Sequence, residues 1–77
     1  MNQELMLLNE MDANLAWFKN HLSELKEKYD NTFVAIKDEK ILSVSKDFNK
    51  LLINLKNMNE DPARTFIQFI SKIPVIL

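Results

Sequence analysis

Not one of the 77 residues is glycine, and that absence limits the turns the chain can make. Tight turns and helix ends often need a positive φ, which glycine adopts without steric cost. In this chain such positions fall to asparagine and aspartate, whose short polar side chains tolerate the left-handed region. Asp30-Asn31 is a turn pair of this kind. The same absence disfavours nucleotide binding, because phosphate-cradling loops use glycine to let the backbone approach the phosphate.

Cysteine is absent too, and His21 is the single histidine. Neither a disulfide framework nor a zinc site can be assembled, and no cofactor is expected. A chain of this length forms one domain at most and usually needs a staple or a partner. Its hydrophobic fraction is nevertheless 47%. Apolar excess without a staple predicts an interface, either with a larger protein or by self-association. The plainer reading is a tight monomer with scattered exposed apolar side chains. Ten Lys+Arg against eleven Asp+Glu leave a net charge of −1, so no overall field draws the chain to nucleic acid or anionic lipid. The stretch Met1-Asn2-Gln3-Glu4 lacks the positive flank of a signal peptide. Residues 66–77 are apolar, but the stretch is too short to cross a bilayer and is interrupted by Gln68 and Lys72. A cytoplasmic protein is expected.

Leu8, Met11, Leu15, Phe18, Leu22, Leu25 and Tyr29 recur at alternating spacings of three and four, the stripe of a helix. Asp12-Ala13-Asn14 interrupts it, with Asn14 a candidate cap for a helix beginning at Leu15. This leaves one long helix or two short ones hinged near Asp12. Residues 1–13 read as an N-terminal helical extension and 14–77 as the domain. Phe33-Val34-Ala35-Ile36 is apolar at every position, as in a central strand covered on each side. The polar turn Lys37-Asp38-Glu39-Lys40 then leads to Ile41-Leu42-Ser43-Val44-Ser45, a hairpin. Ser45 and Asp47 start a second helix with Phe48, Leu51, Leu52 and Leu55 on one face, ended by Asn57 and Asn59. Residues 65–70 form a third strand, and 71–77 continue extended, with Pro74 confining that tail to an edge or to no sheet at all. A right-handed crossover through the second helix places the third strand beside the first. The expected fold is α+β, a small αββαβ two-layer domain whose three-stranded sheet has the first strand in the middle.

Leu15-Ala16-Trp17-Phe18, Leu22 to Lys28-Tyr29, Phe33-Val34-Ala35, Asp38, Lys46-Asp47 and Leu51 to Leu55 carry a likeness. Over about residues 14–77 the chain resembles a family of small, mostly archaeal proteins grouped only as a domain of unknown function. The resemblance implies a Trp-Phe helix with a Lys-Tyr end, a Val-Ala strand, a hairpin turn and a second helix, but no chemistry. That family's turn carries glycine after the aspartate, where this chain has Glu39. A tight type I′ turn is then less comfortable, and a longer or distorted one is expected.

Candidate sites are few. His21 has no second histidine, cysteine or carboxylate cluster at ligand spacing, and Ser23 is too near on the helix to face it. Asp38, Glu39, Glu60 and Asp61 could act as acid and base only if folding joins two turns; polar turn and cap chemistry is the bland account. Lys46, Lys50 and Lys56 mark the second helix as a possible phosphate-contacting face, against a solvated lysine face. Trp17 and Phe18 point about 100° apart on a helix and cannot both face one core centre. Trp17 therefore covers the sheet's rim or anchors a partner. Leu5, Met6 and Leu7, and Ile73, Val75 and Leu77 in the tail, complete the expected partner-binding set, the tail by strand addition. No catalytic residues are assigned. The expected function is a non-catalytic interaction module, an accessory subunit of a larger complex. The alternative is a nucleic-acid-associated role, as a minor subunit of a DNA-processing complex or an antitoxin-like regulator.

Overall fold

The computed structural model describes the backbone of residues 3–73 and the side chains of residues 10–73. Helix α1 (Gln3–Lys28) leads to β1 (Thr32–Lys37), β2 (Lys40–Ser45), α2 (Phe48–Asn57), a 3-10 turn (Pro62–Arg64) and β3 (Phe66–Ile70). The strand order is β2-β1-β3, and β1 is antiparallel to both neighbours. β2 and β3 therefore run parallel to each other with β1 between them, so their connection through α2 must cross β1, as the sequence predicts.

Two apolar clusters share β1. Val34 and Ile36 join Leu25 and Ile70 beneath α1, while Ala35 joins Leu51 and Leu55 beneath α2. Successive strand side chains point to opposite faces, so the helices lie on opposite sides of the sheet. The domain accordingly has three layers where two were expected. Four consecutive apolar residues in β1 require this, because each face needs its own cover.

α1 runs without a break through Asp12-Ala13-Asn14, which selects the single long helix. Asn14 does not cap a helix start. It is 2% exposed, and its Oδ1 accepts the backbone N–H of Glu39 at 3.0 Å. That bond holds the β1–β2 turn, where Asp38 and Glu39 have φ of 53° and 59°. Two positive φ values in a two-residue loop are the signature of type I′ geometry, so the tight turn forms without glycine. A left-handed glutamate costs about 1–2 kcal/mol, and the Asn14 bond helps to hold it there.

The remaining positive φ values are at Asn31 (55°) and Asn59 (60°). Asn59 ends α2: Glu60 N–H donates to the Leu55 carbonyl at 2.9 Å and Asn59 N–H to that of Lys56 at 3.0 Å. This is the double bond pattern usually built on glycine. At the other end, Asp47 Oδ1 caps α2 by accepting from the N–H groups of Asn49 and Lys50.

Candidate functional site

α1 packs on its face of the sheet through Trp17, Phe18 and Leu25. Trp17 and Phe18 both pack on the Leu25–Val34–Ile36–Ile70 cluster, each only half-buried. They straddle it. Phe18 meets Phe66 of β3 edge-on at 5.9 Å, whereas Trp17 stacks on His21 at 4.2 Å beside Ile41 of β2. His21 is half-buried, and its Nδ1–H donates to the Trp17 carbonyl at 2.8 Å. The imidazole thus serves to seat the indole over the sheet's rim.

The two acidic turns do meet at one end of the sheet, where the Glu60 and Asp61 carboxylates each have a hydrogen-bond partner. Lys37 at the end of β1 donates to Glu60 Oε2 at 2.7 Å. That hydrogen bond, reinforced by the charges of Glu60 and Asp38, holds the Lys37 ammonium above its usual pKa. Asp61 Oδ1 accepts from Ala63 N–H to cap the 3-10 turn, and Asp38 and Glu39 form the hairpin turn itself. No group of three metal-ligating side chains occurs among the described residues.

The α2 side is more open. Leu51 and Leu55 are fully buried, and Leu52 is half-buried. Phe48, assigned by its spacing to the same apolar face, is 43% exposed, and Ile53, outside that spacing, is 57% exposed. Leu52, Ile53 and Pro62 form the apolar part of an open groove of about 470 Å³, with Asn49 and Lys56 beside them. Phe48 continues the apolar surface along the sheet, meeting Phe33 at 5.3 Å, and Phe33 meets Phe69 at 4.9 Å. The spacing of Phe48, Leu51, Leu52 and Leu55 conceals Ile53, whose only sequence signal is an apolar residue off the stripe.

The lysines do not form a stripe. Lys46 precedes the α2 N-cap, and Lys50 and Lys56, six residues apart, project about 120° apart around the helix. Of the expected partner-binding residues, Trp17 packs within the domain and Ile73 is exposed. The side chains of Leu5, Met6 and Leu7, and Val75 and Leu77, lie outside the described residues. No helix is long and apolar enough to cross a membrane among the described residues.

A small α+β domain with a helix on each face of a three-stranded antiparallel sheet is the class that this geometry defines. Residues 24–67 match the family of unknown function DUF5678, and the chain belongs to that family. The match runs from the last turns of α1 into β3, and Trp17 and Phe18 lie outside it. No curated protein and no solved structure matches the chain.

Proposed function

We propose that the chain is a non-catalytic protein-binding module, an accessory subunit of a larger cytoplasmic complex, that receives an amphipathic helix in the groove beside α2. Ile53 carries this reading: it is 57% exposed on a helix whose Leu51 and Leu55, on the opposite side, are fully buried. An apolar floor of Leu52, Ile53 and Pro62 with Lys56 at its rim suits a helix presenting an apolar stripe flanked by a carboxylate. Lys56 then fixes the orientation of that helix more than it adds affinity.

The test compares the tagged chain with its Ile53→Asp variant as bait in native extract at low and high salt, followed by titration of the purified partner. The wild type is expected to retain one stoichiometric partner at high salt. The variant should bind that partner at least about tenfold more weakly, a difference of about 1.4 kcal/mol, with an unchanged melting temperature. Equal binding by the variant, or recovery of bait alone, overturns the reading. Recovery of nucleic acid that is lost steeply with salt would replace it with the nucleic-acid alternative.

A further inference from the structure

We infer that two copies of this chain pair through the free edges of their β3 strands, in antiparallel register about a two-fold axis at Gln68. This takes up the self-association that the apolar excess of the sequence predicts and uses a different surface from the groove.

β3 bonds to β1 on one side and, among the described residues, to no strand on the other. Residues 65–70, Thr-Phe-Ile-Gln-Phe-Ile, contain no charge and no proline. Such segments are strong templates for strand pairing when left open. Phe69 is 43% exposed, although its ring packs at a tilt against Phe33.

The segment is complementary to itself. With Gln68 opposite Gln68, Phe66 falls opposite Ile70 and Ile67 opposite Phe69, so every flanking pair joins an aromatic ring to a β-branched side chain. Such cross-strand pairs are favourable, and no like charges meet within Phe66–Ile70. The two Gln68 side chains, each a donor and an acceptor, face each other at the axis.

The pairing also closes. It produces a six-stranded sheet, β2-β1-β3-β3-β1-β2, whose outer edges are both β2. Those edges carry Lys40 and an extra residue at Leu42, where the register to β1 slips between Ala35 and Ile36. A bulge and a lysine discourage further strand addition, so assembly stops at two copies, as a symmetric self-complementary interface requires.

Sedimentation of the purified full chain across a dilution series should give a species of twice 9.1 kDa that dissociates on dilution. Because the chain lacks cysteine, Gln68→Cys introduces a sole thiol. Residues opposite each other on antiparallel strands have Cβ atoms about 4.5–5.5 Å apart. Mild oxidation should therefore cross-link Gln68→Cys into a covalent dimer and leave a Ser45→Cys control on β2 without a cross-link. Gln68→Lys and Gln68→Glu should each be monomeric alone and dimeric when mixed. A wild type that is monomeric at every concentration, equal cross-linking at residue 45, or an undisturbed Gln68→Lys dimer overturns the inference. A dimer that captures no partner removes only the groove reading. A monomer that captures one removes only this inference.

Discussion

The two edges of the sheet are built by opposite rules. β2 begins with Lys40, bulges at Leu42, and is held by a hydrogen bond between Ser43 and Asn54 of α2. β3 has no charged residue and no register shift against β1. α2 lies over β2 and β1, leaving Phe69 43% exposed. The contrast cannot come from burial needs alone, since both strands feed the same core through Ile41 and Val44 on one side and Phe66 and Ile70 on the other. A domain that discourages pairing along one edge and permits it along the other has a direction in which to associate.

Substitutions at three depths test that contrast. The largest effect is expected at Ile36, fully buried beneath both edges. Ile36→Ala should lower stability by about 2–5 kcal/mol, read as a shift in denaturant midpoint, and amide exchange should rise in β2 and β3 together. Faster exchange in one strand alone would show that the edges unfold independently. Next is Glu39→Gly, which relieves the left-handed glutamate of the β1–β2 turn and should stabilise the domain by about 1 kcal/mol. Its protection should appear in β2 and not in β3. A destabilised variant would mean that the Glu39 side chain, and not its backbone, holds the turn.

The smallest effect belongs to Lys37, which ties the end of β1 to the segment leading into β3. Lys37→Met should cost about 0.2–1 kcal/mol, since the pair is partly exposed, and should loosen β3 first. Folding raises the Lys37 pKa above its usual 10.5. The folded state then holds that proton more tightly, so the contribution is complete below 10.5 and fades as pH climbs through the raised value. Wild type and variant should therefore differ at pH 8 and converge in strong alkali. A gap that persists there would assign the effect to contacts of the lysine's methylenes.

Much of the fold is legible in local pattern. The apolar run Phe33-Val34-Ala35-Ile36 marks the central strand, Asp30-Asn31 marks the left-handed turn, and Ser45 and Asp47 mark the start of α2. Asn14 misleads because its role depends on a partner 25 residues away; alone it reads as a cap. The bulge at Leu42 is hidden because an extra residue leaves β2 apolar at both Ile41 and Leu42. The candidate site was the least legible part. Exposure of Ile53 and Phe69 depends on where α2 comes to rest over the sheet, and no spacing rule contains that position.

The strand order has a consequence during synthesis. β1 and β2 leave the ribosome next to each other, whereas β3 follows only after residues 46–65 have been added. At about 5–20 residues per second that interval is about 1–4 s, while a hairpin closes in about 1–10 μs. Throughout that delay the most apolar strand of the protein, Phe33-Val34-Ala35-Ile36, has one flank paired and the other empty. The nascent chain is therefore most prone to mispairing along β1, at an edge that the finished domain does not possess.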